Sequence, residues 1–122
     1  MSNKKTILIV DDIEINREIL AEIFKEDYEI IKACNGVQAV EILDSHSDIS
    51  AVLLDLIMPE LDGLGVLREL NKNGKIDRIP VFLITAENSR DMLLEGYHLG
   101  AVDVITKPFI AHFLVCRVNN VV

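Results

Sequence analysis

Long apolar runs are missing from this sequence, and so is any excess of basic charge. No apolar stretch approaches the roughly 18 residues that a membrane-spanning helix needs. The opening Met1-Ser-Asn-Lys-Lys5 has no apolar segment behind it that would read as a secretory signal. Both absences predict a cytoplasmic chain with no membrane partner. Lys and Arg number 12 against 20 Asp and Glu, a formal charge of −8. Nonspecific nucleic-acid binding relies on cationic side chains neutralising phosphates, so direct nucleic-acid binding by this domain is not expected. A role at DNA would belong to another chain or domain. Cys34 and Cys116 lie far apart with no CxxC spacing, which reads as free, buried thiols in a reducing compartment. His46, His98 and His112 show no metal-ligand spacing with Cys or with one another and read as surface or helix positions. Internal repeats, low-complexity tracts and linkers are also absent, so the 122 residues read as one domain.

What the chain does have is many short apolar runs. Half of its residues are hydrophobic, and the mean hydropathy is +0.30. Spread over short runs, that apolarity fits strands covered on both faces. A chain of this size can bury roughly two-thirds of the surface it exposes unfolded, enough for a core without metal or disulfide staples. Four runs end on residues able to handle a phosphate or a cation. Thr6-Ile-Leu-Ile-Val10 meets Asp11-Asp12, and Ala51-Val-Leu-Leu54 meets Asp55. Pro80-Val-Phe-Leu-Ile84 meets Thr85, and Val102-Asp-Val-Ile-Thr106 meets Lys107-Pro108. Tyr28 to Ala33 reads as the remaining strand.

Helical spacing fills the intervals. Ile15, Ile19 and Ile23, flanked by Leu20 and Phe24, predict a helix to about residue 26. Asn35-Gly36 precedes a second helix carrying Val37, Val40 and Leu43. Pro59 and Gly63 keep the loop after Asp55 from continuing as helix, and a third helix then carries Leu64, Leu67 and Leu70 as far as Asn73-Gly74. A fourth helix is predicted from about Asn88 to Leu99, stopped by Gly100. The last helix places Ile110, Phe113, Leu114, Val118 and Val121 on one stripe, read as core packing, with Phe113 and Val121 able to meet a partner. Five βα units make a doubly wound parallel α/β sandwich. The apolar pattern is still running at Val122, so the chain is read as a module of a longer polypeptide.

In an open parallel sheet the ligand crevice lies outside the carboxyl ends of the strands. Asp11, Asp12, Asp55, Thr85 and Lys107 would all arrive there. Each taken singly has a bland reading, Asp12 as a cap of the first helix, Thr85 as a turn residue, Lys107 as a solvated charge. Together they would need four coincidences at one sheet edge. Three carboxylates that close repel unless one is protonated or a cation sits among them, and Mg²⁺ suits an all-oxygen site. A hydroxyl at Thr85 can donate to an oxyanion, and Lys107 can pair with an Asp and later with an anion. The set suits attack by Asp55 on a phosphoryl group to form an aspartyl phosphate.

Ile7-Leu-Ile-Val-Asp-Asp12, Leu53-Leu-Asp-Leu-Ile-Met-Pro59, Asp62-Gly63, Ile84-Thr-Ala86 and Thr106-Lys-Pro-Phe109, in this order and at these intervals, resemble the receiver domain of two-component response regulators. The resemblance spans residues 1–122 and implies a flavodoxin-like three-layer sandwich, five parallel strands in the order 2-1-3-4-5 with five helices. It implies that Asp55 is the phosphoacceptor and that Asp12 binds Mg²⁺ directly, with Asp11 assisting and the backbone carbonyl of Ile57 as a further ligand. Thr85 would contact the phosphoryl group, Lys107 would form its ion pair, and the Lys107–Pro108 bond would be cis. A sensor histidine kinase or phosphotransfer protein would donate the phosphoryl group. The helix 4–strand 5–helix 5 surface would then change, controlling an attached output domain, a partner or a homodimer. Such a domain is not an enzyme in the ordinary sense, although it catalyses its own phosphoryl transfer and slow autodephosphorylation. Ile57 and Glu87 stand where the family tunes phosphoryl lifetime. One residue departs from the pattern: Val104 stands where the family usually carries Tyr or Phe, which leaves the switch to the threonine shift and the loop before the fourth helix.

Rival readings fare worse against the residues. A receiver-shaped interaction module without the chemistry should have lost one of the acidic residues, the Thr or the Lys, and none is missing. A phosphatase with an Asp nucleophile would carry a second Asp two positions on, where Ile57 stands. A flavin-binding domain of this topology would find its phosphate repelled by Asp11-Asp12.

Overall fold

Leu8 and Val10 lie on one side of the central sheet and Ile7 and Ile9 on the other, and all four are at most 1% exposed. A strand apolar on both faces must be covered twice, and the chain does this with helices. The computed structural model describes residues 4–86 and 89–122. The strands β1 (Lys5–Val10), β2 (Tyr28–Ala33), β3 (Ile49–Leu54), β4 (Val81–Thr85) and β5 (Asp103–Thr106) alternate with helices. These are α1 (Glu14–Phe24), α2 (Gly36–Ser45), α3 (Gly63–Lys72), α4 (Arg90–His98) and α5 (Ala111–Val121), with a 3-10 turn at Lys75–Asp77 before β4. The sheet is wholly parallel, in the order β2-β1-β3-β4-β5 expected from the sequence.

The core is split by the sheet. On one face Leu8, Val52, Leu54 and Leu83 pack with Ala39 and Leu43 of α2, Val66, Leu67 and Leu70 of α3, and the partly buried Met92 and Leu93 of α4. On the other, Ile7, Leu53, Phe82 and Ile84 pack with Leu20, Ala21 and Phe24 of α1 and Leu114 and Val118 of α5. Burying each Leu, Ile, Val or Phe among them contributes about 1.5–3 kcal/mol. No helix among the described residues is long and apolar enough to cross a membrane.

Helix starts are chemically distinct. Asn35 accepts the Gln38 N–H at 2.8 Å to begin α2, while the Gln38 side chain accepts the Cys34 N–H at 2.7 Å. Asp62 accepts the Gly65 N–H at 2.8 Å to begin α3. The N-cap of α1 is Ile13, with no side-chain cap, so Asp12 does not serve as one. Gly100, at φ 105°, follows α4 in the left-handed region that glycine adopts freely, as its predicted role as a stop requires.

The helix expected to about residue 26 is present as α1, with Leu20, Ala21 and Phe24 as its buried face and Ile15 and Ile19 exposed. Other expectations need correction. The stripe on α5 is only half core. Leu114 and Val118 are buried, whereas Ile110, Phe113 and Val121 are exposed, because α5 covers the β5 border of the sheet with α1 beside it. Both thiols are exposed rather than buried: Cys34 follows β2, an edge strand, and Cys116 lies on the outer face of α5. One helical turn also brings Cys116 Sγ to 4.0 Å from His112 Nε2, so this His–Cys pair does stand at a spacing that lets the two meet. That pair gains no third ligand among the described residues. Helix α4 begins at Arg90; Glu87 and Asn88 lie outside the described residues.

Candidate phosphoryl and metal site

Every strand that meets the site stops at the same edge. Asp11 follows β1, Asp55 follows β3, Thr85 closes β4 and Lys107 follows β5. The ladders hold these ends level. Asp55 N–H donates to Val10 C=O at 2.9 Å, and Lys107 N–H donates to Thr85 C=O at 2.8 Å. Carboxylate oxygens of Asp11, Asp12 and Asp55 consequently lie within 4.8 Å of one another. Asp12, Asp55, Thr85 and Lys107 line one cavity of about 380 Å³, with Ile13, Asn16, Ile57 and Ala86 completing its wall.

The three acids are not equivalent. Asp11 is 1% exposed and fully committed. One of its carboxylate oxygens accepts the Ile13 N–H at 3.0 Å, and the other lies 3.4 Å from Lys107 Nζ. Asp12 is exposed, and among the described residues its carboxylate has no hydrogen-bond partner. Asp55 is nearly buried and receives a long contact, 3.4 Å, from the Ile57 N–H. Burial above all, and the neighbouring Asp11 charge, push the Asp55 carboxyl above the usual Asp value; Lys107 and the N–H groups of Ile57 and Leu56 oppose them. Thr85 is fully buried at the cavity wall. The Lys107–Pro108 bond is cis, as expected.

All the side chains singled out in the sequence thus converge, and the lysine stands on the same rim as the acids. An all-oxygen donor set suits a hard cation, and Mg²⁺ takes oxygens at about 2.0–2.1 Å, so opposite ligands of one ion stand about 4 Å apart. The spread of 4.8 Å needs only a small contraction to match. One contact escaped the sequence. Arg17, on the second turn of α1, donates from Nη1 to the main-chain carbonyl of Asp11 at 2.7 Å. Only its place one helical turn past the acidic pair could have pointed to it.

The parallel sheet carries an acidic triad, a hydroxyl and an ammonium at its carboxyl edge, in the doubly wound α/β class. The family model of the response regulator receiver domain matches residues 7–119, and the chain belongs to that family. It is 38% identical over 120 residues to the transcriptional regulatory protein SrrA of Staphylococcus aureus, covering 98% of this chain and 47% of that protein. A probable cyclic di-GMP phosphodiesterase of Vibrio cholerae is 37% identical over 115 residues, covering 94% of this chain and 26% of that protein. The crystal structure of a CheY-like response regulator receiver domain protein from Methanospirillum hungatei superposes with a TM-score of 0.83 at 31% identity, covering 97% and 94% of the two chains. The chain spans half or less of the length of these curated relatives.

Proposed function

We propose that this chain is a Mg²⁺-dependent phosphoacceptor switch in which Asp55 takes a phosphoryl group from a histidine kinase or a phosphotransfer protein. The observation that carries the reading is the meeting of Asp11, Asp12 and Asp55 oxygens within 4.8 Å, beside Lys107 and Thr85. Asp12, Asp55 and the Ile57 carbonyl would hold the ion, with Asp11 assisting. When bound, it would supply neutralisation of the charge that spreads over the phosphoryl oxygens. A carboxylate oxygen of Asp55 attacks phosphorus; a P–O bond forms as the donor's P–N bond breaks, and the departing imidazole takes up a proton. Lys107 then has a dianion to pair with in place of Asp11, and Thr85 can donate its hydroxyl to a phosphoryl oxygen. The new charge biases an existing equilibrium of the α4–β5–α5 surface.

Cytoplasmic location, pairing of two copies through that surface and an attached output domain belong to the same reading. The relatives' greater length, and names that include a transcriptional regulatory protein and a phosphodiesterase, support an output domain. Slow autodephosphorylation would follow from water reaching the cavity past Ile57. The test is intact-mass measurement after incubation with Mg²⁺ and a small-molecule phosphodonor. Wild type should gain about 80 Da, one phosphoryl group, and Asp55→Asn should gain nothing. An unmodified wild type, or an equally modified variant, would end the reading.

A further inference from the structure

Asp11 is 1% exposed, so its main-chain carbonyl has no water to turn to. It is met by Nη1 of Arg17 at 2.7 Å, a part-buried, charge-assisted hydrogen bond that spans six residues and closes the β1–α1 loop. The helix that follows it begins at Glu14, and its N-cap, Ile13, offers no side-chain cap. The loop's other ties are the Asp11 carboxylate, which accepts the Ile13 N–H at 3.0 Å and faces Lys107 Nζ at 3.4 Å, the Asp11 N–H on the Ala33 carbonyl at 3.2 Å, and the Asn16 and Arg17 N–H groups on the Ile13 carbonyl at 3.1 and 3.2 Å. Asp12, the acid left open to the cavity, sits between these anchored points and has no partner of its own among the described residues.

We infer that Arg17 is a positioning residue for the cation site: by gripping the Asp11 carbonyl from behind, it holds the Asp12 carboxylate at the cavity. The inference rests on the proposed Mg²⁺ reading and adds to it a residue that touches neither cation nor phosphoryl group. A guanidinium suits the task because it stays charged throughout the ordinary pH range and its planar fork is already organised. An ammonium on a flexible stem would reach the same oxygen with a looser geometry. Groups that orient metal ligands typically matter by about 10–100-fold in metal affinity.

The test compares Arg17→Ala and Arg17→Lys with wild type by Mg²⁺ titration followed through amide chemical shifts, under conditions where all three are folded. Arg17→Ala should bind Mg²⁺ at least about tenfold more weakly, and Arg17→Lys should fall between it and wild type. Amide exchange of Ile13 in the metal-free protein should quicken in the alanine variant, a local effect that general loss of stability would not confine to this loop. Wild-type Mg²⁺ affinity in a folded Arg17→Ala would overturn the inference. A wild type that binds Mg²⁺ but takes no phosphoryl group would overturn the proposed function and leave the inference standing. A wild type that binds no Mg²⁺ would overturn both. If Arg17→Ala does not fold, wild-type affinity in Arg17→Lys together with unchanged Ile13 exchange would overturn it instead.

Discussion

The phenol oxygen of Tyr97, on α4, accepts a hydrogen bond from the backbone N–H of Val104, on β5, at 3.2 Å. Strand β5 is the edge of the sheet, where an outward N–H needs a side chain or water. Helix α4 can come this close because residue 96 is glycine, whose absent Cβ would fall 2.5 Å from Leu83 Cδ1. An aromatic side chain therefore does reach the Val104 position, from the helix rather than from the strand. Tyr97→Phe keeps the ring and removes the acceptor. The expected result is faster amide exchange at Val104 and a stability loss below about 1 kcal/mol, since the Asp103 carboxylate also accepts this N–H at 2.9 Å. Unchanged exchange at Val104 would show that the hydroxyl holds nothing.

Lys107 is the cation that the buried Asp11 carboxylate faces, at 3.4 Å. Lys107→Ala should lower stability by about 1–3 kcal/mol, the usual cost of leaving a buried polar group without its partner. It should still accept phosphate at Asp55 when Mg²⁺ is saturating. Phosphorylation should then move the α4 amide shifts much less than in wild type. Wild-type shift changes in this variant would remove Lys107 from the switch.

Asp55 has a carboxyl held above its ordinary value of 3.8, chiefly by burial and then by Asp11. A raised value means the folded state favours the protonated form. The stability this contributes is complete below 3.8 and is lost as pH rises through the folded value. Asp55→Asn cannot ionise, so at pH 7 without divalent cation it should melt higher than wild type. Each kcal/mol corresponds to about 4 °C for a domain of this size. The gap should close as the pH falls toward 3.8. Mg²⁺ at ten times its Kd should stabilise wild type by about 1.4 kcal/mol and the variant by much less. Equal melting temperatures across the pH series would refute the penalty on the ionised Asp55 carboxylate.

Gly63 opens α3 directly beneath the site and donates its N–H to Leu56 C=O at 2.9 Å. A Cβ there would stand 2.6 Å from the Asp55 carbonyl oxygen and 2.8 Å from Leu56 Cα, backbone atoms that cannot swing aside. Gly63→Ala should cost about 1–3 kcal/mol in urea unfolding. It should also slow phosphorylation by displacing the loop that carries Asp55. An unchanged urea midpoint would mean that the loop yields freely.

By itself the sequence determined the order of five βα units and the residues that end each strand, because a parallel strand covered on both faces is apolar along its length and stops where polarity returns. The motif intervals likewise carried Asp11, Asp12, Asp55, Thr85 and Lys107 to one edge. Tertiary structure alone decided which acid is committed and which is open. Asp11 and Asp12 are adjacent and identical in type, and although the resemblance gives them different roles, it is the approach of Lys107 and the Ile13 N–H to the Asp11 carboxylate, and of Arg17 to its main-chain carbonyl, that commits Asp11. It also decided which half of each apolar stripe is core. Ile15 and Phe113 obey the same helical period as Leu20 and Leu114, yet period records a direction around the helix and not where the neighbouring layer ends.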